Sequence, residues 1–243
     1  MDSSIDIASN DIEIIEDFDI EILNLLIKKY QRDEKYQNIF EGNRNIIYCL
    51  QEMWEKYSDR KFMLKLYKEL SDYLIENKEN KFLDIGTMNY NLICKDLLDK
   101  SIEYTQVEYN TDNTYFNNDI LLKCKVQEII SKYSEYKNYF NVVCDFGVLG
   151  APGISSKWNS EEISLYIFNI LYVLKNGGIY IIKIDRGYFD NNMINFEKYI
   201  IPYFKLINFK NHKKCMFVKR KYTGRRQHFT ERDQYKFYVF QKI

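Results

Sequence analysis

Two residues of opposite charge end neighbouring apolar segments in the second half of the sequence. Asp145 ends "YFNVVCD", and Lys183 ends "IYIIK", which follows Gly177 and Gly178. An ionised ammonium at the end of a buried strand is costly unless it is paired or takes part in chemistry. A positioned lysine can accept the proton of a hydroxyl nucleophile, and an aspartate can orient that lysine. The pattern therefore indicates proton transfer, with a lysine that merely extends to solvent as the structural alternative.

Further carboxylates lie near the ends of other apolar segments. "KFLDIG" contains Asp84 and Gly86, Glu108 follows "YTQV", and Asp119 follows "TYFNN". A glycine in a strand-to-helix turn lets the backbone approach a ligand, although a plain tight turn explains Gly86 equally well. Glu108 is placed to accept hydrogen bonds from ribose hydroxyls. Asp119, which we predict to end the third strand, would accept from an adenine amine. Together these residues outline a pocket for an adenosine-bearing ligand.

Several function classes are excluded by what the sequence lacks. It contains no GxGxxG or GxxxxGK[ST] phosphate loop, so nucleotide hydrolysis is not expected. Its two histidines, His212 and His228, argue against a His-rich metal site and a Ser-His-Asp triad. The five cysteines show no CxxC pair and are typical of reduced core thiols. No apolar run reaches the length of a membrane span, and we expect a cytoplasmic protein without a membrane partner.

The elements that would position these residues alternate along the chain. Helical periodicity covers residues 20–74, and from Lys81 onward strand and helix patterns alternate. One predicted helix begins with Ser160 as its N-cap and stops at Gly177; others cover 121–133 and 191–204. The alternation predicts an α/β fold with a parallel sheet and helices on both faces. We divide the chain into an N-terminal extension, 1–60, and a catalytic domain, 61–243. The ligand site is expected beyond the carboxyl ends of the strands.

Charge is distributed unevenly, although the formal net charge is zero. From Asp2 to Glu21 there are eight acidic residues and no basic one, whereas Lys205 to Lys242 contains twelve Lys or Arg against two acids. The basic segment interleaves aromatic residues with its cations, which suits phosphate contacts and base stacking on single-stranded RNA. Two solvated faces are the simpler alternative. The acidic N-terminus would be a disordered arm or an edge strand, and the extension is a candidate for binding a protein partner.

The motifs "FLDIG", "NND", "VVCDFGVLGAP" and "LKNGGIYIIKID" resemble those of class I S-adenosylmethionine-dependent methyltransferases. More closely, they resemble the FtsJ-like ribose 2′-O-methyltransferases, which include viral cap-modifying members. The resemblance covers residues from about 60 to the C-terminus. It implies a Rossmann-like, mostly parallel seven-stranded sheet and S-adenosylmethionine as the cofactor. Its binding residues would be Asp84, Gly86, Glu108, Asp119 and Asp145.

The same resemblance implies a Lys-Asp-Lys-Glu tetrad around the target hydroxyl. Lys65 in "RKFMLKLYKEL", Asp145 and Lys183 match the first three members. The glutamate should lie beside the last strand, but Lys236 stands at that place, and Glu231 is the nearest glutamate. The expected activity is methylation of an RNA ribose 2′-hydroxyl, with a capped mRNA 5′ end as the preferred target. The alternatives are a degenerate scaffold that binds RNA or protein, and a methyltransferase with a base or protein acceptor.

Overall fold

The structure is a computed structural model of the 243-residue chain. It describes the following residues: 12–15, 20–32, 39–41, 44–48, 50–51, 58–86, 91–109, 120–149, 158–185, 200, 202–210, 215–219 and 234–243.

One large sheet organises the described part of the chain, and a two-residue strand pairs with a three-residue strand in a separate hairpin. The strands are β1 (Ile12–Ile15), β2 (Ile39–Glu41), β3 (Arg44–Asn45), β4 (Lys81–Ile85), β5 (Glu103–Val107), β6 (Ile120–Leu122), β7 (Phe140–Asp145), β8 (Leu174–Asp185), β9 (Phe204–Leu206), β10 (Cys215–Lys219) and β11 (Gln234–Lys242). The large sheet has the order β1-β10-β11-β8-β7-β4-β5-β6, and β9 also pairs with β11. Among its strands only β11 runs antiparallel to the others.

Strands β9 and β10 occupy one position in this sheet. Both pair with the same edge of β11, β9 opposite 240–242 and β10 opposite 234–238. The sheet from β6 to this shared position therefore has seven places, as predicted, and β1 adds an eighth at the edge. The α/β prediction is confirmed: helices at 91–97 and 160–173 join the adjacent parallel pairs β4–β5 and β7–β8, and helices cover both faces of the sheet.

Helices close the two faces of the sheet over separate cores. They are α1 (Ile20–Arg32), α2 (Ser58–Glu76), α3 (Asn91–Leu97), α4 (Ile129–Lys132) and α5 (Ser160–Val173); residues 46–48 and 50–51 are also helical. On one face α1, α2 and α3 bury Leu26, Leu66 and Ile93 against the sheet. On the other face α4 and α5 bury Ile129 and Ile167. These two faces are called the α2 face and the α5 face below.

The ends of α5 differ from the sequence prediction. The N-cap is Asn159 rather than Ser160, because the Asn159 side chain accepts from the Glu162 N–H while the Glu162 carboxylate accepts from the Asn159 N–H. The helix ends at Val173, before Gly177. Lys242 on β11 donates to the carbonyl oxygens of Leu171 and Leu174, both at 2.7 Å, and so satisfies the end of the helix. Gly177 instead lies in an irregular stretch of β8, with a positive φ of 77°.

Two other predicted helical regions differ in extent from the structure. The helix expected over 121–133 is a strand end, a short 3-10 turn at Val126–Glu128 and the four-residue α4. The hairpin of β2 and β3 interrupts the region 20–74, which was expected to be helical.

The predicted helix over 191–204 falls almost wholly outside the described residues. For the N-terminus, the structure selects the edge strand: β1 pairs in parallel with β10. The boundary placed at residue 60 falls inside α2.

Candidate functional site

The parallel strands bring four of the predicted site residues to one edge of the sheet. Ile85 pairs with both Val107 and Asp145 in the strand register, and Asp145 pairs with Ile182. Gly86 and Glu108 follow the ends of β4 and β5, while Asp145 and Lys183 lie at and near the ends of β7 and β8. This carboxyl edge is where ligands bind in open parallel sheets.

The loops after β4 and β7 are packed against each other through two glycines. Gly86 has a φ of 68°, and a Cβ at this position would overlap the Val148 side chain. A Cβ on Gly147 would lie 2.5 Å from the Gly86 carbonyl oxygen. Glycine is therefore required twice: for the left-handed backbone at Gly86, and for the close approach at Gly147. This contact fixes the edge of the sheet between β4 and β7.

Asp145 is completely buried and organises the loop that follows it. Its Oδ1 accepts from the Val148 N–H at 2.9 Å, and its Oδ2 accepts from the Leu149 N–H at 3.1 Å. The Tyr166 hydroxyl donates to Oδ2 at 2.6 Å, and the Tyr180 hydroxyl lies 3.5 Å from it. The carboxylate thus ties its own loop to α5 and β8.

Burial determines the electrostatics of this group. It raises the pKa of Asp145, and the hydrogen bonds from Tyr166, Val148 and Leu149 oppose that rise. Burial, with the neighbouring Asp145 charge, also raises the pKa of both Tyr166 and Tyr180 well above the usual value, so their hydroxyls stay protonated as donors. The arrangement is that of a structural carboxylate held by neutral donors.

Lys183 lies on the other face of the sheet from Asp145. Its register partner on β11 is Phe237, a member of the α2-face core, whereas the partner of Asp145 on β8 is Ile182, a member of the α5-face core. Side chains opposite each other in adjacent strands share a face, and successive residues alternate between faces. Lys183 is half-buried. The structure therefore does not bring the Asp145 carboxylate to Lys183 in the way the tetrad requires.

Helix α2 lies over the face that contains Lys183. Phe62 of α2 packs on Phe237 with ring centroids 4.8 Å apart, and Tyr67 of α2 packs on Phe146 at 5.7 Å. Phe146 and Phe237 in turn lie 5.7 Å apart. Lys65 falls between Phe62 and Tyr67 on the helix and is half-buried. The two predicted lysines therefore belong to elements that are packed face to face.

Asp84 is inside the sheet rather than on its rim. It is the fourth residue of the five-residue β4, it is fully buried, and its Oδ2 accepts from the Tyr104 hydroxyl at 2.5 Å. The pKa values of Tyr67, Cys94 and Cys144 are raised well above their usual values, chiefly because these three side chains are buried and secondly because the Asp84 charge is close to them. Asp84 thus lies on the α2 face beneath α2 and α3.

Glu108 presents the more accessible carboxylate. It directly follows β5, it is half-buried, and its N–H donates to the Leu122 carbonyl of β6 at 3.2 Å. The next residue, Tyr109, is 67% exposed, and the Lys125 ammonium lies 5.1 Å from its ring centroid. An acceptor and an exposed aromatic ring therefore stand side by side at the carboxyl edge.

Two predicted site residues are not described by the structure. Asp119 and Glu231 lie outside the described residues, as does the loop at 87–90. The third strand, β6, begins at Ile120, so Asp119 precedes it; the prediction that Asp119 ends that strand was wrong because the strand lies later in the sequence. Within the described ranges no cluster of metal-ligating side chains occurs, and no helix is long and apolar enough to cross a membrane.

Sequence reasoning missed the residues that support the site. Tyr104, Tyr166 and Tyr180 hold the two buried carboxylates, and Gly147 makes room for Gly86. Only the contacts from Asp145 to the next loop had a local signal, since aspartate commonly accepts from N–H groups a few residues onward. The tyrosines lie 20 or more residues away in sequence from their carboxylates, and no local pattern identifies them.

No protein-family model and no curated protein sequence matches this chain. Solved structures do match. The N-methyltransferase NodS from Bradyrhizobium japonicum WM9, in complex with S-adenosyl-L-homocysteine, superposes with a TM-score of 0.52 at 11% identity over 88% of this chain and 97% of NodS. The chain has a class I methyltransferase fold. WbdD matches with a TM-score of 0.51 at 12% identity, over 90% of this chain and 46% of WbdD.

At 11% identity the similarity to NodS concerns the backbone fold alone. The methyltransferase fold therefore locates the ligand edge, while the acceptor must be argued from the residues there.

Proposed function

We propose that this protein transfers a methyl group from S-adenosylmethionine to a ribose 2′-hydroxyl of RNA, with the capped 5′ end of mRNA as the preferred target. The observation that carries the proposal is the shared location of Lys183 and the Lys65 helix on one face of the sheet at its carboxyl edge. The NodS structure, which contains S-adenosyl-L-homocysteine, supports a cofactor of this kind.

The residues at the ends of β4 and β5 fit such a cofactor. Glu108 offers a half-buried carboxylate for the ribose hydroxyls, and Tyr109 offers an exposed ring for a base. The left-handed backbone of Gly86 turns the chain at the end of β4. Asp84, which accepts a hydrogen bond from the Tyr104 hydroxyl, lies beneath the same edge. When bound, S-adenosylmethionine supplies an electrophilic methyl group attached to a positively charged sulfur.

The two lysines provide the groups that a hydroxyl nucleophile needs. Lys183 in its neutral form accepts the 2′-hydroxyl proton, because the oxygen attacks well only as that proton leaves. Lys65 supplies a positive charge that stabilises the developing oxyanion. Phe237 on β11 is the register partner of Lys183, and Phe146, which directly follows β7, packs on Phe237, so the stem of Lys183 has an apolar neighbour. Asp145 has an indirect part in this scheme: it holds the loop beside the lysine strand.

The basic segment supports an RNA acceptor. The chain leaves β10 at Lys219 and enters β11 at Gln234, and these two residues are register partners. The next pair along, Tyr235 with Asp185, lies at the carboxyl end of β8. The segment between them, which lies outside the described residues, therefore leaves and re-enters the sheet at the edge where Lys183 lies. The sequence of this segment is basic, and basic residues favour phosphate contacts over those of a neutral small molecule.

A degenerate scaffold is the second candidate, and one observation favours it. The Asp84 carboxylate is fully buried against Tyr104, and Val148 fills the space beside Gly86. A cofactor that needed either position would require these loops to move. On this alternative the protein binds RNA or a protein without transferring a methyl group.

Calorimetry with S-adenosylmethionine tests the first step of the proposal. We expect micromolar binding by the wild type and at least tenfold weaker binding by Glu108→Gln, since one charged hydrogen bond contributes on the order of 1.5 kcal/mol or more. Glu135→Gln removes an exposed carboxylate elsewhere and serves as the control. Absence of binding by the wild type at millimolar cofactor would support the scaffold.

Radiolabelled methyl transfer then identifies the acceptor. Capped RNA, uncapped RNA and capped RNA already methylated at its first ribose 2′-oxygens are compared as substrates. The proposal predicts incorporation into the first, less into the second and none into the third. Equal incorporation into the premethylated RNA would assign the acceptor to a base, and incorporation only into protein would overturn the RNA assignment.

A further inference from the structure

Helix α5 exposes apolar side chains on the side that points away from the sheet. Leu165 is 45% exposed and Phe168, one turn later, is 58% exposed. The half-buried Leu171 and Tyr172 continue the same side by one further turn. The opposite side of the helix, which includes Ile167, is buried in the core of the α5 face. We call the exposed side the outer surface of α5.

The lack of charge distinguishes this surface from an ordinary solvated one. After its first turn α5 reads ISLYIFNILYV, which contains no Asp, Glu, Lys or Arg. Asn169 in this stretch is buried, since its side chain accepts from the Ile130 N–H and donates to the Leu165 carbonyl. A helix on a protein surface normally carries charged residues on its outer side, and a helix that is apolar on all sides is normally covered. The outer surface of α5 is therefore suited to contact with another protein surface.

The beginning of α5 is acidic. Glu161 and Glu162 lie in its first turn, and both are exposed. The Glu162 carboxylate takes part in the capping box with Asn159, whereas Glu161 has no part in that motif. Glu161 lies on the same side of the helix as Leu165, one turn earlier. The outer surface of α5 therefore has a negative charge at its first end.

The other end of α5 is surrounded by cations. They are Lys137, Lys175 and Lys242. Lys242 donates to the Leu171 carbonyl, and Asn138, the residue after Lys137, donates its N–H to the Tyr172 carbonyl at 2.8 Å. The loop of Lys137 also contains one exposed acid, Glu135. The outer surface is thus negative at its beginning, apolar in the middle and mainly positive at its end.

We propose that two copies of this chain associate through the outer surface of α5, with the two helices antiparallel about a twofold axis. A twofold contact places one surface against itself, so that surface must be self-complementary. With the axis between Leu165 and Phe168, Leu165 of each copy faces Phe168 of the other. Glu161 of each copy then faces Tyr172 of the other, and Lys137 lies beside that tyrosine. Apolar residues meet in the middle, and each acidic end meets a basic one.

The size of the surface sets the strength of this association. Helix α5 has 14 residues, which makes it about 21 Å long and gives its outer surface an area of roughly 230 Å². The segment 126–138 widens it, since Ile130 and Ser134 are hydrogen-bonded to side chains of α5. A stable interface buries about 800 Å² on each partner. We therefore expect a weak dimer that forms only as the protein concentration rises.

The proposed arrangement leaves both candidate sites open. Tyr166, in the first half of α5, donates to Asp145 at the carboxyl edge, so the helix begins at that edge. Antiparallel helices consequently direct the carboxyl edges of the two copies in opposite directions. The association is independent of the acceptor that the enzyme methylates.

Sedimentation velocity of the full chain, from low micromolar to a few hundred micromolar, tests the proposal. We expect the wild type to change from monomer to dimer over this range. Phe168→Glu places a charge in the middle of the contact and should remain monomeric throughout. Leu25→Glu is the matched control, because Leu25 is also 58% exposed and lies on another helix, α1; it should associate like the wild type. Urea denaturation checks that both variants keep the stability of the wild type.

Reversal of charge tests the antiparallel geometry. Glu161→Lys and Lys137→Glu should each weaken dimerisation about fivefold, because a twofold contact contains the pair twice. The protein with both substitutions should dimerise within about twofold of the wild type. If the double variant did not recover, the antiparallel arrangement would be wrong.

Two results would overturn the association itself. The first is a wild type that stays monomeric at a few hundred micromolar. The second is a wild type that associates while Phe168→Glu and Leu25→Glu behave alike, since the contact would then lie elsewhere or be non-specific.

Discussion

Asp145 and Lys183 stand on neighbouring strands, but their side chains lie on opposite faces of the sheet. The register pairs Asp145 with Ile182, one residue before Lys183, and a shift of one residue in a strand reverses the face. The carboxylate consequently accepts hydrogen bonds from Val148, Leu149 and Tyr166 on the α5 face. Lys183 lies opposite Phe237 on the α2 face. Asp145 therefore holds the loop after β7, while Lys183 is the member of this pair that is available for the proposed chemistry.

The first prediction concerns this structural role of Asp145. Asp145→Ala would leave two N–H groups and the Tyr166 hydroxyl buried without their acceptor, and we expect it to lower the free energy of unfolding by about 3 kcal/mol or more. Urea denaturation measures the loss. Glu135→Ala, at an exposed carboxylate, should change stability by less than about 0.5 kcal/mol. A stable Asp145→Ala protein that had lost only its activity would instead assign Asp145 to catalysis.

The second prediction separates the two reasons for glycine. Gly147→Ala places a Cβ 2.5 Å from the Gly86 carbonyl oxygen, a backbone atom that cannot move alone, and we expect a loss of about 3 kcal/mol. Gly177→Ala meets no atom within 4 Å and suffers only from its φ of 77°, so about 1 kcal/mol is expected. Thermal unfolding of both variants provides the comparison. Equal losses of stability would show that the loops after β4 and β7 can move apart at little cost to accommodate the Cβ.

Much of the sheet could be predicted because its signals are local. The apolar runs that end at Asp84, Val107, Asp145 and Lys183 are short and flanked by turn residues, and each contains or closely matches a strand in the structure. The carboxyl edge then follows from the parallel arrangement alone. What the sequence could not supply was the face on which each side chain lies relative to its neighbours.

The features that the sequence could not show share one physical cause, which is dependence on distant residues. Helix α5 ends at Val173 because Lys242, almost 70 residues later, reaches its last carbonyl groups. Residues 12–15 form an edge strand because β10, about 200 residues away, offers an open edge. The surroundings of Asp145 depend on Tyr166 and Tyr180, which lie 21 and 35 residues away in the sequence. Local pattern says little about any of these contacts.

The third prediction is a dependence of stability on pH at the amino ends of β4 and β5. Burial opposes the ionisation of Glu103, but hydrogen bonds from Lys81 and Tyr139 lower its pKa in the folded protein. The stabilisation is therefore complete above the unfolded pKa of about 4.3 and is lost as pH falls through the lowered folded pKa. Glu103→Gln should reduce the loss of unfolding free energy that occurs as pH falls, and Glu135→Gln should not. A constant difference between wild type and Glu103→Gln across this pH range would contradict the assignment.

The fourth prediction tests the lysines that the proposed chemistry requires. Lys183→Met keeps an unbranched apolar stem opposite Phe237 but removes the group that accepts the hydroxyl proton, so we expect the rate of methyl transfer to fall by about 100-fold or more. Lys65→Met should lower the rate as well, through loss of charge stabilisation at the oxyanion. Cofactor binding and unfolding should remain close to wild type in both variants.

Lys68 provides the matched control for these variants. It lies on the same helix as Lys65, it is exposed, and its ammonium forms an ion pair with Asp72 at 2.5 Å one turn away. Lys68→Met therefore removes the same charge from the same element at a cost of about 0.3 kcal/mol in stability, and it should leave the rate unchanged. If Lys65→Met and Lys68→Met both kept the wild-type rate while Lys183→Met was inactive, Lys183 would remain the proposed proton acceptor and Lys65 would have no part in catalysis. Full activity of Lys183→Met would remove the proton acceptor on which the ribose assignment depends.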